Sequence, residues 1–198
     1  MATTNLISKS LGDILTESGN GSPDHVSPKG SLYTDKDTGK LYQNKDGNTL
    51  WVLLNTVAYG EADFSDNTNA TTINTQNVWE TVNATFVEGD VIGFSATTNT
   101  LTLLSGYDGV YDIRCDATIQ YVAGTNNYEI GLSINGNDPT SGSYQGGLVD
   151  ATYTRQHIGF NVIESLSGGT TLGIDVRNIT NTDNIIVRNS QLIAKKIG

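Results

Sequence analysis

The sequence predicts an all-β protein: an antiparallel jelly-roll β-sandwich preceded by a short N-terminal helix and a small β-hairpin module. Two observations favour this fold. Apolar and polar residues alternate with a period of two in several segments after Ala58, and clusters of Gly, Asn, Asp and Thr separate these segments at short intervals. About eight to ten such strands are typical of a sandwich or jelly roll. We therefore divide the chain into residues 1–20, 21–56 and 57–198.

The first segment is the only one with helical periodicity, over residues 4–18. Its apolar residues recur at spacings of three and four, which places them on one helix face: Leu6, Ile7, Leu11, Ile14 and Leu15. Gly19-Asn20-Gly21 ends the pattern. The helix either packs on its own chain, or it is an anchor whose apolar stripe is buried against sister chains or a larger partner.

The second segment, residues 21–56, alternates short strands with turns. Tyr33, Tyr42 and Trp51 follow one another at nine-residue steps, one in each predicted strand, so they are expected to be neighbours on one face. Asp46-Gly47 is a hairpin signal. Three short strands cannot form much of a core alone, and this module is expected to lean on partners, sister copies or the next domain.

The third segment contains the clearest strand, in which Tyr111 to Tyr121 alternates apolar and polar residues. A second such strand begins at Tyr128 and runs into the turn signal Asn135-Gly136. We predict that Tyr111, Tyr121 and Tyr128 lie in the core or at a subunit interface. Tyr144, in a Gly- and Ser-rich loop, is the best candidate for contact with an external molecule.

Composition narrows the classes of partner. The chain has 11 Lys and Arg against 21 Asp and Glu, a net charge of −10, which argues against nucleic acid and anionic membranes. No secretory signal and no apolar run of bilayer length occurs, so we expect cytoplasmic synthesis and no membrane insertion. Apolar residues make up only 36% of the chain, which favours burial shared between subunits.

No motif for catalysis is evident, and we expect no enzyme activity, no cofactor and no metal site. The two histidines, His25 and His157, have no ligand-spaced Cys or His partner. Cys115 shares the inward face of its strand and is expected to be a buried thiol. The run Asp35–Gly39 departs from calcium-loop spacing and is better explained by a hairpin turn. Acidic loops could still hold a cation between subunits.

Short motifs in the third segment resemble the TNF-like jelly-roll family, which includes complement globular heads. Gly109-Val110-Tyr111-Asp112-Ile113 is similar to a characteristic strand of that family. Further similarities are Val87-Glu88-Gly89-Asp90, Leu132–Gly136 and the closing Ile186–Ile193 strand. The resemblance implies a homotrimer around a three-fold axis, with one sheet face of each subunit buried by its neighbours.

The second segment resembles a short module of bacteriophage virion proteins that precedes fibre or tip domains. The similar residues are Gly21–His25, Lys29–Asp35 and Leu41–Asn44. The order of the three pieces implies a virion structural protein, a head fibre or a tail-associated fibre. Residues 1–20 would attach it to capsid or tail proteins, and the head would contact host surface glycan or protein. Alternatives are a lectin-like glycan-binding module, capsid decoration without a receptor role, and a glycan-cleaving enzyme.

Overall fold

A computed structural model describes residues 15–37, 40–54, 58–120, 122, 124, 126–150 and 154–198. The chain divides into two compact units, residues 1–56 and 57–198. Every regular element in the described residues is a β-strand, so the all-β prediction is confirmed. In the same residues, no helix is long and apolar enough to cross a membrane.

The first unit contains one four-stranded sheet in the order β1-β2-β3-β4. Its strands are β1 (Thr16–Gly19), β2 (Leu32–Asp35), β3 (Leu41–Asn44) and β4 (Trp51–Leu53). β1 runs parallel to β2, and the other two pairs are antiparallel. The hairpin predicted at Asp46-Gly47 is confirmed: it joins β3 to β4, and Gly47 has a φ of 79°.

The predicted helix over residues 4–18 is wrong at its C-terminal end, where Thr16–Gly19 is strand β1. Leu15 comes just before that strand, whereas Leu6, Ile7, Leu11 and Ile14 lie outside the described residues. The parallel pairing with β2 supplies backbone hydrogen bonds, such as Leu32 N–H to Leu15 O at 2.8 Å, that local helical periodicity cannot foresee. Only the helical interpretation of residues 16–18 is thereby overturned.

One face of the four-stranded sheet carries an aromatic cluster around a buried acid. Tyr33 contacts Tyr42 and Trp51 with ring centroids 6.3 and 5.9 Å apart, which confirms the predicted grouping. His25 adds its ring to this cluster, and its Nε2 lies 2.5 Å from Oε2 of the buried Glu17. The second oxygen of Glu17 accepts a hydrogen bond from Ser27 Oγ at 3.0 Å. The residues that resemble the phage module therefore hold its local structure together.

The second unit consists of two facing sheets. The five-stranded sheet has the order β13-β10-β15-β5-β7, and the other has the order β12-β11-β14-β9-β8, with β6 also paired to β14. The strands are β5 (Tyr59–Phe64), β6 (Glu80–Thr81), β7 (Val87–Ile92), β8 (Phe94–Ala96), β9 (Leu101–Leu103), β10 (Gly109–Gln120), β11 (Asn126–Ile134), β12 (Tyr144–Val149), β13 (Arg155–Leu166), β14 (Thr171–Asn178) and β15 (Ile186–Lys196).

The strand order identifies the sandwich as a jelly roll. The eight principal strands are β5 and β9–β15, which we number 1 to 8 in chain order for this comparison. In these numbers, the principal strands of one sheet have the order 6-3-8-1 and those of the other have the order 5-4-7-2. This is the arrangement produced by two interlocked Greek keys. All the pairings in the second unit are antiparallel. The jelly-roll prediction is thus confirmed by topology.

Alternation along the strands places the core between the two sheets. The inward side chains of β10 are all buried: Tyr111, Ile113, Cys115, Ala117 and Ile119. They pack in one cluster with the inward side chains of β11 and β14: Tyr128, Ile130, Leu132, Leu172, Ile174 and Val176. The outward residues of β10, beginning with Asp112, therefore lie on the opposite face of the five-stranded sheet.

Candidate functional site

The outer face of the five-stranded sheet exposes large apolar side chains at both of its edges. We call it the open face. Its residues follow from the strand register: Asp112, Arg114, Asp116, Thr118 and Gln120 on β10; His157, Gly159, Asn161 and Ile163 on β13; Gln191, Ile193 and Lys195 on β15; Tyr59, Glu61 and Asp63 on β5; Val87 and Ile92 on β7.

One row of residues crosses all five strands of this face. Ile163 opposes Asp112, Asp112 opposes Lys195, Lys195 opposes Tyr59, and Tyr59 opposes Ile92. At the usual spacing of about 4.8 Å between strands, the row is about 19 Å wide. Ile163 and Ile92, at its two ends, are 64% and 53% exposed. Apolar side chains therefore flank a polar centre.

The polar centre is organised by hydrogen bonds within the face. Arg114 donates to Asp112 Oδ2 from Nη2 at 2.7 Å and from Nε at 3.2 Å. This bond raises the pKa of the Arg114 guanidinium, which stays charged. The other carboxylate oxygen of Asp112 is buried and has no hydrogen-bond partner among the described residues.

A second polar group lies where β5 meets β15. Glu61 accepts hydrogen bonds from Gln191 Nε2 at 2.5 Å and from Tyr59 OH at 3.1 Å. Burial is the main cause that raises the pKa of the Tyr59 hydroxyl, and the hydrogen bond to Glu61 raises this pKa further. Tyr59 is therefore a neutral donor at physiological pH. The two hydrogen-bonded groups hold their side chains in defined positions, which reduces the entropy that a docking partner would have to remove.

Two shallow depressions meet at the exposed pair Asp116 and His157, whose Oδ1 and Nε2 lie 3.5 Å apart. One depression, of about 210 Å³, extends towards Asp63 and Gln191. The other, of about 440 Å³, extends over Arg114 and Gln145 to the β13 edge. Both are open and polar at their rims, and they offer hydrogen-bonding groups to a solvent-exposed ligand.

The face lacks the parts of a nucleophilic site. Cys115 is the residue before Asp116, but its side chain points into the core and burial raises its thiol pKa to about 12. Its Sγ lies 3.4 Å from Ser190 Oγ inside the sandwich. No group of three or more His, Cys, Asp or Glu residues in the described part of the chain could hold a metal ion.

The tyrosines selected from the sequence lie elsewhere. Tyr111 and Tyr128 are in the core between the sheets, where burial raises the pKa of each to about 12. Tyr111 OH donates to Tyr107 O at 2.5 Å, and Tyr128 OH donates to Gln156 Oε1 at 3.3 Å. Tyr121 lies outside the described residues.

Tyr144 begins β12 and is half-buried in a stack with two residues that the sequence did not single out. Its ring contacts that of Trp79 with centroids 5.5 Å apart. The Arg177 guanidinium lies 4.4 Å from the Trp79 ring centroid and 5.4 Å from that of Tyr144. Its role in external contact stays a prediction, because part of the ring is already occupied by this stack.

Sequence reasoning also missed the open face. Its signal was present in the alternation: Ile163 and Ile193 occupy outward positions of β13 and β15, where a half-buried strand places polar residues. An apolar residue on the polar side of a strand indicates a second packing surface. Reading that signal requires knowing which strands are neighbours, and the strand order supplies this.

Comparison with known proteins gives only distant similarities. No protein-family model and no curated protein sequence matches the chain. A crystal structure of murine APRIL at pH 5.0 is similar with 10% identity and a TM-score of 0.47, over 71% of this chain and 99% of APRIL. The PRD1 vertex protein P5 is similar with 13% identity and a TM-score of 0.45, over 71% and 97% of the two chains. Similarity this slight supports no inference about function, and the jelly-roll assignment rests on strand order.

Proposed function

We propose that this chain is a homotrimeric structural component of a phage virion, a head fibre or tail-associated fibre, whose jelly-roll head associates through the open face. The observation that carries the proposal is that face: exposed Ile163, Ile92 and Val87 surround a hydrogen-bonded polar centre on an otherwise acidic molecule. A mixture of apolar and polar groups is typical of subunit interfaces.

The dimensions of the open face suit a subunit contact. Five strands of width about 19 Å and the β10 length of 12 residues, at about 3.4 Å per residue, give several hundred Å² for each copy. Stable interfaces bury about 800 Å² per partner. Loops around the sheet would supply the remainder. Burial of the face would also explain how a chain with 36% apolar residues sustains a stable assembly.

The virion setting rests on the module in residues 21–56 and its resemblance to phage virion modules. The structure gives its motif residues a physical role, because His25 binds the buried Glu17 and Tyr33 stacks on His25. Trimers arrayed on a particle would contact a host surface multivalently, so that weak single sites give avidity. We propose no catalytic activity.

A glycan-binding role for the head is the second candidate, favoured by the 440 Å³ depression on the open side of β13. Its rim presents His157, Asn161 and Gln145, which can donate and accept hydrogen bonds with sugar hydroxyls. Binding of the full chain to a glycan array, lost on His157→Ala but not on Leu104→Ala, would support this role. Uniformly negative arrays would remove it.

The trimer is tested by sedimentation equilibrium of the full chain. We expect a mass three times the 21.1 kDa of one chain. Ile163→Glu should weaken association at least about tenfold, because a carboxylate at a buried contact must be desolvated. Leu104→Glu, a matched change at an exposed leucine outside the open face, should leave association unchanged. A monodisperse monomer at micromolar concentration would refute the proposal.

A further inference from the structure

In the first unit, several polar side chains are buried and several large apolar side chains are exposed, which is the reverse of the usual distribution. In its described part, the only buried apolar side chains are Tyr33 and Tyr42. Five polar side chains are buried: Glu17, Ser27, Ser31, Asp35 and Asn44. Four large aliphatic ones are exposed: Val26, Leu50, Val52 and Leu54. Buried polar groups together with exposed large apolar groups are the informative exceptions to ordinary burial.

The strand register collects most of these aliphatic groups on one face of the sheet. Gln43 opposes both Leu32 and Val52, and Leu41 opposes Thr34. Leu54 N–H donates to Leu41 O at 2.7 Å, which places Leu54 opposite Leu41. Leu50 accepts from Lys45 N–H at 2.9 Å, two residues before Val52 on the same side of the strand. We call Leu32, Leu41, Leu50, Val52 and Leu54 the aliphatic face.

The opposite side of the same sheet is occupied already. It carries Tyr33, Tyr42 and Trp51 with His25 and the buried Glu17. Trp51 Nε1 donates to His25 O at 2.9 Å, and Ser22 Oγ lies 3.1 Å from Tyr42 OH. This side is closed by the chain that leads from β1 to β2. The aliphatic face, by contrast, presents Leu50, Val52 and Leu54 with 40–54% of each residue exposed.

We propose that the aliphatic face of the first unit packs against the same unit of a second copy of this chain. The inference rests on the proposed self-association of the head. Only residues 55–57 separate Leu54 from Ala58 in the sequence, so any association of heads holds the first units of sister copies at high effective concentration. At this high effective concentration, the aliphatic faces of two copies can form a contact that would be too weak between separate units.

The edge of the sheet fits this arrangement. β4 is an edge strand, and its pairing to β3 uses the backbone groups of Leu50, Val52 and Leu54. Because backbone groups alternate in direction along a strand, those of Trp51 and Leu53 point to the uncovered edge. An edge that joins an apolar face to unpaired backbone groups is a template for another chain. Contacts between copies would cover the face and the edge together.

The charges of the first unit place no strong obstacle against such a contact. Its described residues combine lysines with aspartates and glutamates in nearly balanced numbers, whereas the second unit carries most of the excess negative charge. Lys45, opposite Leu50, lies on the same side of the sheet, where its Nζ donates a hydrogen bond to Gln43 Oε1 at 2.6 Å. Copies of this unit are therefore not driven apart by the repulsion that acts between acidic surfaces.

Site-specific cross-linking of the full chain tests the contact. Cys115 is buried, so a cysteine introduced by Val52→Cys is the accessible thiol of the described chain. We expect a short bismaleimide to convert the Val52→Cys protein into covalent dimers and higher species. Lys29→Cys, at an exposed residue of the chain that leads from β1 to β2 on the opposite side of the sheet, should give about tenfold less product, because its thiols are not held together.

A second pair of variants measures the contribution to assembly. Val52→Glu should raise the dissociation constant of the full-length assembly about tenfold, since it places a carboxylate in an apolar contact. Lys29→Gln, in the chain between β1 and β2, changes the net charge by the same amount outside the face and should leave the constant unchanged. Circular dichroism of both variants checks that the strands are retained.

The outcomes separate this inference from the proposed function. Trimers in which Val52→Cys cross-links no better than Lys29→Cys would overturn the contact and leave the head interface standing. Cross-linking through Val52→Cys that persists while Ile163→Glu has no effect on mass would overturn the head interface alone. A monomer without cross-links would overturn both. With only the purified chain present, cross-linked products identify a second copy as the occupant.

Discussion

Replacing Arg177 by methionine is expected to destabilise the second unit more than any other single removal of a surface charge. Arg177 Nη2 and Nε lie 2.5 and 2.6 Å from Glu129 Oε2, and the two side chains are only 19% and 18% exposed. The guanidinium also covers the rings of Trp79 and Tyr144. Methionine keeps the apolar stem and removes the charge, so the loss reports the polar contacts.

The magnitude follows from these two contacts. A hydrogen bond to a charged group contributes about 1.5–3 kcal/mol, and the cation–π contact at a partly exposed site contributes about 0.5–1 kcal/mol. Glu129 would also be left without its partner, although water reaches it in part. We expect a loss of about 2–4 kcal/mol in the free energy of unfolding. For a unit of this size, with an unfolding entropy of about 0.3 kcal/mol/K, that corresponds to a fall of about 7–13 °C in Tm.

Thermal unfolding followed by circular dichroism at neutral pH measures the change, with Arg188→Met as the matched control. Arg188 pairs with Asp66 at 3.2 Å, but the Asp66 side chain is 90% exposed and such pairs contribute about 0–1 kcal/mol. A double-mutant cycle with Glu129→Gln isolates the coupling energy. If Arg177→Met lowered Tm no more than Arg188→Met, the stack and ion pair would not stabilise the fold as described.

Two further predictions concern buried positions of the second unit. Burial raises the pKa of Asp175 above its ordinary value of 3.8, so the folded protein favours the protonated acid and its stability should fall as pH rises from about 4 towards neutrality. Asp175→Asn should remove this part of the pH dependence in urea unfolding, and an unchanged profile would contradict it. Gly60→Ala would place a Cβ 2.6 Å from Phe94 Cγ and 2.9 Å from Leu101 Cδ2, and should cost about 1–3 kcal/mol of unfolding free energy. Gly173→Ala, in β14 of the same unit, would place its Cβ no nearer than 3.5 Å to another heavy atom, so it should cost much less, and equal losses at both positions would argue against crowding.

The sequence predicted elements whose stability is decided locally or by a simple period. The alternation from Tyr111 along β10 correctly separated the core side from the outer side. Asn135-Gly136 forms the expected turn, with φ values of 55° and 70° at the two residues. In each case a two-residue period or a positive φ leaves few alternatives.

The parts that could not be predicted depend on distant neighbours. Thr16–Gly19 reads as the end of a helix until β2 is known to lie beside it. The open face needs the pairings of Ile163 with Asp112 and of Ile193 with Arg114, residues roughly 50 and 80 positions apart along the chain. Glu17 has no sequence signature of a buried acid, because its partners His25 and Ser27 reach it through the fold.

The position of β15 sets the order of events during synthesis. β15 comes last among the strands that the structure describes, yet it lies between β10 and β5 in the five-stranded sheet. A ribosome-bound chain that has not yet emerged beyond Asn184 carries β5 and β10 without the strand that joins them. Closure of the head is therefore delayed until almost all of it has left the ribosome. The nascent chain must keep these two partly apolar strands soluble until then, a period in which chaperone binding is most useful.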